Sequence, residues 1–214
     1  MNERFSDFLP ADLQFSSEDE KEKVAKEIKE FYFGDKTISE ETVLNYINYF
    51  SDVIFAYPTL RSLKLQVEAG NDKVYLYEYS FVDEDVPTYK EGIETYGVEG
   101  ADHCAQSFSL FESKMLGAKD ESMFSERTRK MRAKMRQLWL NFITTGAPVP
   151  AGSEYPPWPA AGADGAPHMS LDERLELRGP LLARRARFWD AVYAEHYRQP
   201  VPPPPPPPAK HAEL

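Results

Sequence analysis

One stretch of this chain surrounds a reactive side chain with residues suited to proton transfer. In Gly97-Val98-Glu99-Gly100-Ala101-Asp102-His103-Cys104-Ala105-Gln106, two glycines permit a tight turn with positive φ and an imidazole follows at the loop apex. Phe108, Leu110 and Phe111 then supply apolar anchors for a short helix. This layout is expected to present His103 into a cleft. An imidazole titrates at about pH 6.5, so it takes and returns a proton near neutrality. A hydrolase places its general base in this way, on a loop beyond a sheet edge. A lone loop histidine is also compatible with an ordinary surface role. Cys104 raises the idea of a Cys–His nucleophile pair, but neighbours on a chain are expected to point their side chains apart. Glu99 and Asp102 are candidate acids for orienting the imidazole, yet both lie too close along the same loop to reach the far ring nitrogen easily.

The elements that must hold this loop are mostly helical. Residues 1–15 have little period and suggest a loop or short helix. Ser17 caps a helix whose face is Val24, Ile28, Phe31 and Tyr32, with Glu20 completing a capping box and Gly34 ending it. Ser39 starts another, with Val43, Leu44, Ile47, Phe50, Ile54 and Phe55 as a broad stripe expected to be largely buried. Asp52 sits in that stripe and calls for a backbone or arginine partner. Pro58 is expected to break the helix, and residues 59–69 to form the next. Residues 73–81 make the best strand, with Tyr75, Tyr77, Tyr79 and Phe81 on one face and Val74, Leu76, Glu78 and Ser80 on the other.

Asp83, Glu84 and Asp85 form a polar exit, read as a solvated loop and not a metal site. Residues 125–144 read as a long amphipathic helix, with Met131, Met135, Leu138, Leu140, Phe142 and Ile143 in or near its buried stripe. The basic run 126–136 on that helix reads as a solvated face. Residues 169–177 suggest a short edge strand. Pro180 opens a last helix anchored by Trp189.

Composition narrows the class. The chain has 214 residues and a formal net charge of −10, a field that repels nucleic acid and anionic membrane. No apolar run has the length to span a bilayer, and the opening residues do not form a signal peptide. A single cysteine allows neither an internal disulfide nor a four-thiolate metal site.

The histidine loop resembles the catalytic-histidine segment of the type-B carboxylesterases, the α/β-hydrolase family that includes cholinesterases and insect esterases. The likeness continues, in the family's order, through Ser51-Asp52-Val53-Ile54-Phe55-Ala56-Tyr57-Pro58, Val74-Tyr75-Leu76-Tyr77-Glu78-Tyr79, Trp139-Leu140-Asn141-Phe142-Ile143-Thr144-Thr145-Gly146 and Arg187-Phe188-Trp189-Asp190. Asp52 is a residue that the family shares. Many members carry acidic residues just after the histidine, where this chain has Ala105 and Gln106; this bears on subgroup more than on catalytic identity.

The resemblance implies an α/β fold in which residues 1–198 are the C-terminal part of an α/β-hydrolase, with an incomplete central sheet flanked by helices. It also implies carboxylic ester substrates, no cofactor, no metal, and His103 as the triad histidine. The rest of a triad is not legible here. No Gly-x-Ser-x-Gly occurs in the sequence, and the family's acid would precede Met1. The expectation is therefore a truncated or short product, inactive alone, whose exposed strand edge and tyrosine row would favour aggregation.

Residues 199–214 form a tail. Pro202 to Pro208 is a polyproline spacer of about 20 Å, and His211, Ala212, Glu213 and Leu214 resemble the retrieval signal of lumenal carboxylesterases. This suggests contact with a retrieval receptor, in the endoplasmic reticulum lumen or on a secretory route. Two rivals are a non-catalytic, cholinesterase-like adhesion module and an interaction protein built on the polyproline run.

Overall fold

The computed structural model describes residues 1–85, 98, 100–111, 121–162 and 166–200. The polyproline run, the terminal tetrapeptide and Glu99 lie outside the described residues. After a 3-10 turn at Phe5–Phe8 come α1 (Glu18–Phe33), α2 (Val43–Ser51) and, through a π-helical turn at Asp52–Ala56, α3 (Tyr57–Glu68). Strand β1 (Leu76–Tyr79) follows, then α4 (Ala105–Leu110), α5 (Glu126–Thr145), the hairpin β2 (Pro167–Leu171) and β3 (Leu175–Pro180), and α6 (Ala183–His196).

The first core joins α1, α2 and α6. Ile28, Tyr49 and Trp189 are fully buried, with Phe5, Tyr57 and Tyr193 packed around them. Ser17 caps α1 by accepting from the Glu20 backbone N–H at 3.2 Å. Its expected box is displaced by one residue: the Glu20 carboxylate takes the Ser16 N–H at 2.5 Å and the Ser16 hydroxyl at 2.6 Å. Gly34 ends the helix at φ 62°, where a side chain would be strained.

The stripe expected to be largely buried on α2 is only partly so, with Val43, Ile47 and Phe50 half-buried. Leu44, Ile54 and Phe55 are exposed, while Tyr49 and Asp52 occupy the buried face. The π turn accounts for Ile54 and Phe55, because one added residue rotates the positions within and after it, whereas Leu44 lies before the turn and faces outward on α2 itself. Nor does Pro58 break the helix: it lies in the first turn of α3, directly after the π turn.

The second core lies between the sheet and α5. Strand β2 is central, parallel to β1 and antiparallel to β3. The register pairs Tyr77 with Met169 and Tyr79 with Leu171. These residues share one core with Phe81, Met131, Met135, Leu138 and Trp158. Leu76 points the other way, toward Leu63 and Ala161.

The expected alternation on β1 therefore holds, but the tyrosine row is half-buried beneath α5 and Trp158 instead of lying bare. Regular pairing is shorter than 73–81. One further backbone bond extends it at each end, from Ala161 N to Val74 O at 2.7 Å and from Ser80 N to Leu171 O at 2.9 Å.

Two more expectations change. The single edge strand at 169–177 is a hairpin, and Pro180 closes β3 while α6 starts after Leu182. The basic run on α5 is not wholly a solvated face, because Arg132 is buried. On α5 itself Met131, Met135 and Leu138 are buried, whereas Leu140 and Ile143 face outward. No helix among the described residues is long and apolar enough to cross a membrane.

Candidate active site around His103

The histidine loop is fixed from below by α4. Asp102 O accepts the Ala105 N–H at 3.1 Å and Cys104 O accepts the Ser107 N–H at 2.9 Å, so the turn runs straight into the helix. Ser109 is the residue of α4 that is fully buried, and its Oγ lies 2.7 Å from the Tyr79 hydroxyl on β1. Arg132 of α5 donates to the Phe108 carbonyl and lays its guanidinium 4.8 Å from the Phe124 ring centre. Two elements thus clamp the loop, through Ser109 and Arg132. The sequence reading missed both: Ser109 carries no local mark of its contact with Tyr79, and the arginine was hidden in a basic run.

His103 itself is exposed. Its imidazole stacks on Phe55 of the π turn, with centroids 4.4 Å apart and planes 29° apart. The exposure of Phe55 now has a role, as a shelf for the imidazole.

The expectation that Cys104 and His103 diverge fails. Cys104 Sγ lies 3.2 Å from His103 Nε2, because the left-handed backbone at Cys104, φ 67°, folds the two side chains together. Among the described residues no carboxylate pairs with the imidazole. Asp102 is exposed on the same loop, and Glu99 lies outside the described residues.

Behind Phe55, on the same π turn, is a buried polar cluster. Asp52 Oδ2 accepts from the Tyr32 hydroxyl at 2.6 Å and pairs with Arg185 Nε at 3.0 Å. Trp189 Nε1 donates to the same tyrosine oxygen at 2.7 Å. Asp52 Oδ1 has no partner among the described residues. Burial raises the Asp52 pKa against the lowering pull of Tyr32 and Arg185. Burial likewise raises that of Tyr79 beneath the loop. The arginine partner expected for Asp52 is thus Arg185, and the acid is structural.

The acidic exit after β1 has a different use from solvation. Asp83 Oδ1 accepts from the Thr128 hydroxyl at 2.8 Å and Asp85 Oδ2 from the Ser125 N–H at 2.8 Å, so both tie the exit of β1 to the start of α5. His168, which the sequence reading passed over, is buried on β2 and donates from Nδ1 to Gly179 O at 2.6 Å. That bond ties β2 to β3 and gives the imidazole a structural task.

A parallel strand pair flanked by helices, with an imidazole on a loop beyond the strand, is the arrangement of an α/β-hydrolase; this chain has part of that fold. The chain belongs to the carboxylesterase family, whose model matches residues 2–189. It is 31% identical over 166 residues to Esterase E4 of Myzus persicae, covering 72% of this chain and 28% of that protein. It is 29% identical over 151 residues to juvenile hormone esterase of Tribolium castaneum, covering 64% of this chain and 24% of that one. The crystal structure of juvenile hormone esterase from Manduca sexta, with OTFP covalently attached, superposes with a TM-score of 0.65 at 25% identity, over 84% of this chain and 33% of that chain. The chain thus spans about a third or less of the length of these relatives.

Proposed function

We propose that residues 1–198 are the C-terminal part of a carboxylic ester hydrolase and that His103 is its general base. The observation that carries this reading is the placement of the imidazole, exposed and stacked on Phe55 at the head of a loop clamped through Ser109 and Arg132. In this reading Nε2 takes the proton of a serine hydroxyl as its oxygen attacks the ester carbonyl. It then gives that proton to the departing alkoxide oxygen, and repeats the cycle with water. An acid on Nδ1 would hold the tautomer.

The serine and its glycine elbow are not in this sequence. Loss of a triad nucleophile costs about a million-fold in turnover, so the 214 residues alone are expected to be inactive. Carboxylic esters are the substrate class. In this reading residues 199–214 end in a retrieval address, with His211, Ala212, Glu213 and Leu214 read by a receptor in the endoplasmic reticulum lumen or along the secretory route.

The test begins with sequencing the message upstream of Met1. An in-frame Gly-x-Ser-x-Gly followed by a glutamate supports the reading; a message that starts at Met1 overturns the catalytic part of it. In the longer product, His103→Ala should abolish hydrolysis of 4-nitrophenyl esters while Cys104→Ala preserves it.

A further inference from the structure

The π turn carries two side chains with opposite surroundings. Asp52, its first residue, points inward with its side chain 2% exposed. Phe55, three residues on, is 45% exposed and bears the His103 imidazole. Tyr32 from α1 and Arg185 from α6 are the titratable and charged groups that act on Asp52 among the described residues. Both bind the same oxygen, Oδ2, while Oδ1 is buried without a partner among the described residues. Arg185 has a second hold, donating to Asn48 Oδ1 at 2.6 Å, and its side chain is 24% exposed.

We propose that Asp52 is a proton-operated switch for the histidine loop: its ionised form holds the π turn so that Phe55 stacks under His103, and its protonated form releases that stack. The two forms make different bonds. Ionised, the carboxylate attracts the Arg185 guanidinium and accepts from Tyr32. A proton taken from solvent onto Oδ1 cancels that charge, so Arg185 is left to Asn48 and to water. It also turns Oδ1 from an acceptor into a donor inside the core, and a buried donor requires a new partner. The carboxyl group therefore re-pairs, and the backbone that carries it is the turn that also carries Phe55. Burial raises the Asp52 pKa, which brings the change into a range where exposed carboxylates have already ionised. The switch itself stands without the hydrolase reading; its effect on turnover rests on His103 as general base.

The test follows the His103 ring protons and the Asp52 carboxyl carbon of the 214-residue chain by NMR from pH 3.5 to 8, beside Asp52→Asn, whose amide copies the neutral acid. Asp102 and Cys104 flank the imidazole on its own loop, and both chains keep them, so their titration cancels in the comparison. At pH 8 the His103 resonances of Asp52→Asn should lie downfield of the wild type, toward those of Phe55→Ala. That gap should close as the wild type is acidified through the Asp52 midpoint. A gap absent at pH 8, or unchanged at pH 3.5, overturns the proposal. Circular dichroism confirms the fold at each pH. If Asp52→Asn does not fold, the wild type alone decides: the Phe55 ring resonances must step at the Asp52 midpoint, and their failure to do so overturns the switch. In the longer enzyme Asp52→Asn should lower kcat/KM at pH 8. A gap at pH 8 with unchanged turnover would support the switch and overturn His103 as general base.

Discussion

The imidazole of His103 rests on the ring of Phe55 with their centres 4.4 Å apart, which joins the histidine loop to the turn between α2 and α3. Phe55→Ala removes that shelf. The expected result is a downfield move of the His103 ring-proton resonances as the aromatic shielding is lost, with Phe55→Tyr near the wild type. In the longer enzyme the same alanine variant should lower kcat/KM for ester substrates by up to about a hundredfold, the scale of a misplaced catalytic group. Unchanged imidazole shifts would show that the stacking does not persist in solution.

Tyr32 accepts from Trp189 and donates to Asp52, so its hydroxyl links α1, α6 and the π turn. Tyr32→Phe leaves two buried polar atoms short of a partner. It should destabilise the chain by about 1–3 kcal/mol, read from urea denaturation at neutral pH. A loss below a few tenths would mean that the cluster rearranges to compensate.

Asp52 gives a pH signature. Its folded pKa is raised above the ordinary value of 3.8, chiefly by burial, so the folded state favours the protonated acid. The stability this confers is complete below the unfolded pKa and is lost as pH rises through the folded one. Compared with Asp52→Asn, the wild-type chain should therefore lose stability as pH climbs above about 4, by no more than about 1.4 kcal/mol per pH unit. Urea melts of both chains between pH 3.5 and 7 check this; parallel curves would remove Asp52 as the source.

These tests bear on residues that differed in how legible they were. Alternation on β1 was readable because a period of two survives whatever covers the strand, and the Ser17 cap was readable because capping is local. The far end of the α2 stripe was misread because a π turn leaves no residue type as its mark, so Ile54 and Phe55 stayed outward while Asp52 went inward. His103 stood out by type and spacing, but its partners did not. Phe55 stacks on it, and Ser109 and Arg132 hold the helix behind it, through contacts made across the chain that local pattern does not encode. The meeting of Cys104 with His103 turned on a single positive φ at a non-glycine residue.

The split on α5 is sharp enough to measure. Met135 is fully buried whereas Ile143 is 73% exposed. Met135→Ala should cost about 2–5 kcal/mol, while Leu140→Gln and Ile143→Gln should stay within about 0.5 kcal/mol. Thermal or urea melts of the three variants of the 214-residue chain decide it. Equal losses in all three would mean that α5 buries a different face.

The π turn at Asp52–Ala56 closes with the Tyr57 N–H donating to Asp52 O, a span one residue longer than an α-helical turn. It works as a phase adjuster in a nearly continuous helical rod. Before it Tyr49 faces Trp189 and at its first residue Asp52 meets Arg185; downstream Leu63 faces Leu76 of β1. Excising one residue would merge α2 and α3 and turn everything beyond by about 100°. The rod would stay helical yet face the sheet with the wrong side, and the shelf under His103 would swing away.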